Sequence, residues 1–282
     1  DSVAVAGFSQ PFDVYWSSAG FNFSATLTQA AGSQNCTQTP ASGAAAAVTS
    51  ISLPNGRSYG FQYDPTYGLL DKIAYPSGGY VRYVWAMTSS SSEYGDWDGP
   101  VRNGSSLGAC EYFYTTPVIT DRYVSFDGSA EVLHQHFAYA TNWSGSQIGR
   151  WTTKTTTVTA YDLVRGGSFE TVYTYSPDGV VPQVNSDESL TAQIPVEQSI
   201  DYRDWNGAEL RTVKESWLDP RLLGARTTTL ENGETSETAW TYNGNEQVTE
   251  QDDYDFGPSG SAGPLLRKSV RVNESETPGL GV

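Results

Sequence analysis

Apolar and polar residues alternate with a period of two through residues 50–85. The alternating runs are rich in aromatic and β-branched residues, as in strands that bury one face. Short turn signals separate the runs, and the Asn-Gly and Gly-Gly pairs among them admit the positive φ angles of tight hairpins. The stretch therefore predicts a β-meander with turns at Asn55-Gly56, Asp64-Pro65 and Gly78-Gly79.

The same pattern continues along the rest of the chain. Turn signals recur roughly every ten residues in the second half, a rhythm typical of hairpins that stack into one sheet. No window shows the periodicity of an amphipathic helix. We predict an all-β protein with little or no helix, in which antiparallel hairpins stack into an extended sheet.

Aromatic residues make up 13% of the chain, and they supply most of the large side chains in the alternating runs. Cross-strand aromatic pairs bury surface where large aliphatic side chains are few. We assign this structural role to Tyr59, Phe61, Tyr63, Tyr75, Tyr83, Trp85, Tyr173, Tyr175, Trp240 and Tyr242.

Two segments of the meander carry a motif. From Gly56 the chain reads Gly-Arg-x-Tyr-x-Phe-x-Tyr-Asp, and from Gly68 it reads Gly-Leu-Leu-x-Lys-Ile-x-Tyr-Pro-x-Gly-Gly. Residues 50–85 thereby resemble an RHS or YD repeat, with Tyr63-Asp64 in the place of its name-giving dipeptide. Degenerate copies lie around residues 166–179 and 233–257.

The resemblance implies a bacterial cell-surface or secreted protein with a curved, shell-like sheet. Sheets of that family spiral around a hollow interior and often enclose a toxin or other cargo. This chain lacks the Arg-rich, Pro-rich motif that closes such shells. It would therefore be a divergent member, a fragment or a repurposed module.

We expect a non-catalytic structural or interaction protein, and we carry two alternatives. Exposed sheet edges would pair with other β-repeat segments or with copies of the chain. The first alternative is a carbohydrate-binding or glycoside-cleaving β-protein. The second is a self-assembling extracellular filament subunit. No nucleophile elbow, P-loop or dinucleotide-binding motif occurs, so the sequence predicts no enzymatic activity.

The composition divides the chain into three parts. Residues 1–48 are expected to hold an N-terminal strand region that ends in an Ala/Gly/Ser linker. Residues 49–257 form the hairpin sheet domain, with a Ser/Gly-rich insertion at 88–109. Residues 258–282 are expected to be a flexible or peripheral tail.

Charge excludes two classes of partner. The chain has 16 basic and 32 acidic residues and a net charge of −16. This balance argues against binding to nucleic acid or to anionic membranes. No apolar run reaches the roughly 20 residues that cross a membrane. We expect a secreted or cell-surface location, with sequons in surface loops at Asn22, Asn35, Asn103, Asn142 and Asn273.

The two cysteines, Cys36 and Cys110, are predicted to form a disulfide. Both lie in polar surroundings rather than in buried strands, and no CxxC motif suggests zinc or redox chemistry. The alternative is two unrelated free thiols.

A glycan site is predicted in the insertion, where Asp96 and Asp98 flank Trp97. Sugars stack on aromatic platforms, and paired carboxylates can hydrolyse glycosides when they are held at the right distance. The alternative is that Trp97 anchors a surface loop.

Two further clusters could hold a metal ion. Asp252, Asp253 and Asp255 precede a glycine, as in a calcium loop, although a solvated acidic turn explains them equally well. His134 and His136 would share one face of a strand, as zinc-binding pairs do, and would need a carboxylate as third ligand. The alternative for this pair is two surface or half-buried imidazoles.

Overall fold

The structure is a computed structural model that describes residues 1–25, 27–29, 40–88, 92–96, 110–143, 151–182, 191–219, 221–258 and 260–271. Within these ranges all regular structure is β-strand and none is helix. The predicted all-β class is confirmed.

The described strands are β1 (Ser2–Val3), β2 (Phe12–Phe23), β3 (Leu27–Gln29), β4 (Ala41–Ser52), β5 (Ser58–Tyr63), β6 (Leu70–Ala74), β7 (Tyr80–Met87), β8 (Ser92–Asp96), β9 (Cys110–Tyr114), β10 (Pro117–Ser125), β11 (Leu133–Trp143), β12 (Trp151–Asp162), β13 (Ser168–Pro182), β14 (Thr191–Arg203), β15 (Glu209–Asp219), β16 (Leu222–Leu230), β17 (Thr235–Tyr242), β18 (Val248–Gly257) and β19 (Leu265–Val270).

Sixteen strands belong to one open antiparallel sheet, which confirms the predicted extended sheet. Their order is β1-β2-β4-β5-β6-β7-β10-β11-β12-β13-β14-β15-β16-β17-β18-β19, so nearly every strand pairs with its neighbour in sequence. A second sheet has the order β3-β9-β8.

The chain divides into two compact units, which differ from the three parts expected from composition. The first unit comprises Asp1–Thr152, Thr156–Phe169 and Asn185–Leu190, and the second comprises Thr153–Thr155, Glu170–Val184 and Thr191–Val282.

The expected N-terminal linker is a strand over part of its length. Ala41–Ser52 forms β4 and pairs with β2 as far as Phe23. Small residues can form this strand because backbone hydrogen bonds do not depend on side-chain size. At Gly43 a small residue is also required. A Cβ atom on Gly43 would lie 2.9 Å from the Phe21 ring, so the alanine and glycine run leaves room for that ring. The expected peripheral tail likewise contains a strand, β19.

Hydrophobic burial is sparse in the described part of the chain. The apolar side chains buried within the described residues are Ala19, Ala47, Val81, Trp151 and Val196. Nine of the ten aromatics assigned a structural role are half-buried. The tenth, Tyr75, is 39% exposed but still contacts the Tyr59 ring edge-on.

β-bulges recur in both units, and six of them share one arrangement in which the extra residue lies on the second strand of the pair. In the first example Tyr15 pairs with Ser50 and Trp16 pairs with Val48, which leaves Thr49 as the extra residue. Each such bulge disrupts the ladder locally and leaves backbone groups without their usual partner. The extra residues of these six are Thr49, Asp71, Thr120, Gln198, Gly224 and Thr249. Further shifts of register leave Leu210, Leu218 and Leu266 as extra residues.

An aromatic side chain on the following strand closes five of these bulges, and we call this hydrogen bond the clasp. In each case the donor is a tyrosine O–H or a tryptophan N–H, and the acceptor is the carbonyl of the residue before the bulge. The pairs are Tyr63 to Val48 (2.8 Å), Trp85 to Leu70 (3.0 Å), Tyr139 to Ile119 (2.8 Å), Trp217 to Glu197 (2.6 Å) and Tyr242 to Leu223 (2.8 Å).

Three bulges are also pinned from the other side by a threonine. Thr49, Thr120 and Thr249 each donate their hydroxyl to a carbonyl of the preceding strand, at 3.3 Å in every case. The bulges at Thr49 and Thr120 have both the threonine bond and the clasp, so each of them connects three successive strands. Repetition of this unit gives the sheet its register without a deep core.

The hairpin turns follow one design in both units. In five loops the first residue donates its N–H to the fifth carbonyl, and the fourth residue donates back to the first. The fourth residue takes a positive φ, which suits glycine. The fourth residues are Gly56, Gly78, Gly207, Gly233 and, as the one exception, Glu246 with φ 61°.

Replacing Glu246 with glycine should raise the free energy of unfolding by roughly 0.5–1 kcal/mol, because glycine carries no Cβ strain at positive φ. The exposed ion pair that Glu246 makes with Arg221 is lost, which offsets part of the gain. The reciprocal change Gly233→Ala should lower stability. Urea denaturation measures both, and a less stable Glu246→Gly variant would contradict this account of the turn.

Candidate functional site

Three side chains with metal-ligating atoms meet on adjacent strands of the first unit. Asp121 of β10 pairs in register with His136 of β11, and His134 lies two residues earlier on the same face. The Asp121 Oδ1 atom lies 2.7 Å from His134 Nε2 and 3.0 Å from His136 Nδ1. Within the described residues, this is the only group of three or more such side chains whose ligand atoms all lie within 4.8 Å.

The His134 ring is held in a row of stacked side chains that crosses four strands. It lies between Tyr123, at 4.4 Å and nearly parallel, and Tyr161, at 5.1 Å and 18°. The Arg82 guanidinium covers the Tyr123 ring at 4.1 Å and forms an ion pair with Glu131 at 2.9 Å. Packing on both faces fixes the orientation of this imidazole.

The electrostatics of the group favour an ionised carboxylate. Burial alone would raise the pKa of Asp121, but hydrogen bonds from His134, His136 and Thr120 outweigh it and leave that pKa below its usual value. The side chains of Asp121 and His134 are 20% and 21% exposed, and that of His136 is 47% exposed. Solvent therefore reaches the group from the His136 side.

The structure confirms that His134 and His136 share one face of a strand. It also identifies Asp121 as the carboxylate that this pair requires as a third ligand. Sequence reasoning left that carboxylate open because Asp121 lies on a different strand, and only the β10–β11 register brings it to the histidines. Two imidazole nitrogens and one carboxylate oxygen form a donor set that suits Zn²⁺ and similar ions.

The predicted calcium ligands lie on a strand rather than in a loop, and the structure does not bring them together. Asp252 and Asp253 are consecutive on β18 and therefore point to opposite faces. Asp253 is bound by Arg267 at 2.7 Å. Asp255 accepts a hydrogen bond from the N–H of Phe256.

The predicted glycan and disulfide residues fall largely outside the described part of the chain. Trp97, Asp98 and Cys36 lie outside it altogether. Asp96 ends β8 and pairs in register with Cys110 of β9, but their side chains are not described. The glycan site and the disulfide therefore stay predictions.

Asp71 is among the other carboxyl groups whose pKa is shifted, and its position explains the shift. Asp71 is the extra residue of the β5–β6 bulge, at the position that threonine occupies in three other bulges. Its Oδ1 atom is buried without a hydrogen-bond partner. Burial, and then the nearby Asp64 charge, raise the pKa of this carboxyl. We interpret Asp71 as a poorly satisfied structural position rather than a catalytic acid.

Comparisons with known protein families and with curated proteins found no match to this chain. The resemblance to RHS/YD repeats therefore depends on the residues named above and remains a prediction. In the described part of the chain, no helix has the length and apolar character needed to cross a membrane.

Replacing Asp71 with threonine should stabilise the first unit by about 1 kcal/mol at pH 7. The new hydroxyl would make the same kind of hydrogen bond as the hydroxyls of Thr49 and Thr120. It would donate to the Gln62 carbonyl of the preceding strand. The buried carboxylate oxygen without a partner would be removed.

The stability gained by Asp71→Thr should increase as the pH rises. The folded-state pKa of Asp71 is raised above 3.8, so the protonated acid is favoured in the folded chain. Its contribution to stability is present below about pH 4 and is lost as pH rises through the folded pKa. Urea denaturation should therefore show a larger gain at pH 7 than at pH 4, with Asp71→Asn as a control for charge alone. A loss of stability, or an equal gain at both pH values, would refute this interpretation.

Proposed function

We propose that this chain is a non-catalytic structural or interaction protein of the extracellular space or cell surface, built from hairpin repeats like those of the RHS/YD family. Its sheet would serve as a template to which further β-strands add, from other repeat segments or from copies of the chain. The observation that carries this proposal is the exposed strand β19, which is the last strand of the sheet within the described residues and carries three exposed apolar side chains.

β19 has the features of a strand that accepts a partner. Leu265, Leu266 and Val270 are 47%, 64% and 65% exposed. A strand with only one neighbour presents a row of N–H and C=O groups to any strand that approaches. Addition of a strand at such an edge is a common mode of protein recognition.

The charges that usually protect an edge are compensated in β19. Arg267 forms an ion pair with Asp253 at 2.7 Å, and Lys268 forms one with Glu250 at 2.5 Å. Both carboxylates belong to the neighbouring strand β18. Since the cations are directed to this strand, they oppose strand addition less than free cations would.

The small number of buried apolar side chains also supports association with other chains or segments. Exposed large apolar side chains also occur in turns, at Phe126, Val164 and Trp205, and on β15, at Leu218. Association would remove apolar surface of this kind from water. The glycan-binding alternative depends on Trp97 and its neighbours and is supported by no described contact.

The proposal predicts that the purified protein self-associates. Sedimentation velocity over roughly 1–100 μM, in about 150 mM salt to screen the net charge, should show larger species as concentration rises. Leu266→Lys should shift the protein towards the monomer, because an uncompensated lysine on an edge strand opposes pairing. Negative-stain microscopy would then distinguish ordered filaments from small oligomers.

A matched control distinguishes edge pairing from non-specific association through exposed apolar side chains. Leu218 is 65% exposed, against 64% for Leu266, but it lies on the inner strand β15. Leu218→Lys should therefore leave self-association intact. A wild-type protein that stays monomeric throughout the range, or equal losses in both variants, would contradict edge pairing.

A further inference from the structure

We propose that Asp121, His134 and His136 form a binding site for a divalent transition-metal ion, for which Zn²⁺ is the best match. The inference is independent of the scaffold role, since it depends on side chains of β10 and β11 and not on any sheet edge. Its basis is the convergence of three ligand atoms on one face of a two-strand ladder.

The ligand atoms are close to the spacing that zinc requires. A tetrahedral ion with bonds of about 2.0–2.1 Å separates its nitrogen and oxygen ligands by roughly 3.3 Å. In this structure Asp121 Oδ1 lies 2.7 Å and 3.0 Å from the two histidine nitrogens. Movements of about half an ångström would give Asp121 the required distance from each histidine nitrogen. The two nitrogens lie within 4.8 Å of one another, and rotation of the exposed His136 ring can bring them to the same ion.

The site is also partly preorganised. The rings of Tyr123 and Tyr161 enclose the His134 imidazole, so this ligand loses little rotamer freedom on binding. Asp121 and His136 face each other in a fixed register. The ion would bind to parts of the structure that already lie together and would cross-link β10 to β11.

The chemistry of the donors selects the class of ion. Imidazole nitrogen favours zinc, copper, nickel and iron over calcium and magnesium, which prefer an all-oxygen shell. The net charge of −16 also draws cations towards the protein surface. Three protein ligands leave a fourth position on the solvent side, where His136 is 47% exposed. Water or a side chain of a bound partner could occupy this position.

The proposed site can be tested by NMR because it contains both histidines of the chain. His134 and His136 are the only histidines of the chain, so every imidazole signal in an NMR spectrum reports on this site. The full-length protein is dialysed against a chelator and titrated with Zn²⁺, and binding is followed by calorimetry and by the imidazole resonances. We expect one ion per chain and a change in both imidazoles by the first equivalent.

Two variants and a control decide whether the three residues are the ligands. Asp121→Asn and His136→Gln should each weaken Zn²⁺ binding at least roughly tenfold, with far-UV circular dichroism to verify folding. Glu231→Gln removes the same charge as Asp121→Asn from an exposed turn and should leave affinity within about twofold of the wild type.

Two outcomes would overturn the proposal. In the first, the wild-type imidazole resonances do not change with excess Zn²⁺, which would mean that the three side chains form only a hydrogen-bonded group. In the second, a folded Asp121→Asn or His136→Gln variant binds as tightly as the wild type, which would place the ion on other carboxylates. The wild-type NMR result decides the question even if a variant fails to fold.

Discussion

The structure depends on one interaction, the hydrogen bond from an aromatic side chain to the backbone carbonyl beside a β-bulge. A bulge on its own weakens a ladder, because it leaves backbone groups without partners. Here Tyr63, Trp85, Tyr139, Trp217 and Tyr242 supply the missing donor from the following strand. A tyrosine or tryptophan is suited to this role, since it reaches across a strand and carries a polar tip on an apolar body.

The clasp explains how a sheet with little buried apolar surface keeps a single register. A slip by one residue would invert every side chain and move each clasp donor to the wrong face. Stability is therefore distributed among neighbouring strands, much as it is in repeat proteins. The same arrangement leaves strand β19 and many apolar side chains exposed, and the proposed role in assembly depends on this exposure.

Alternation and turn chemistry were enough to predict the all-β class, the meander of residues 50–85 and the shared face of His134 and His136. They could not predict β4, because alanines and glycines carry no alternation and pair through the backbone. They predicted a structural role for Tyr63, Trp85 and Tyr242 but not for Tyr139 and Trp217, and they predicted no clasp, since a bulge is a property of two strands in register. Asp121 was missed as a metal ligand for the same reason, as its partners lie on β11.

The most direct test of the clasp compares two tyrosines of one strand that differ in the partner of the hydroxyl. Tyr63 and Tyr59 are both half-buried on β5, but the Tyr59 hydroxyl makes no hydrogen bond within the described residues. The account predicts that Tyr63→Phe lowers the free energy of unfolding by about 1 kcal/mol, while Tyr59→Phe leaves it nearly unchanged. Equal effects of the two substitutions in urea denaturation would contradict it.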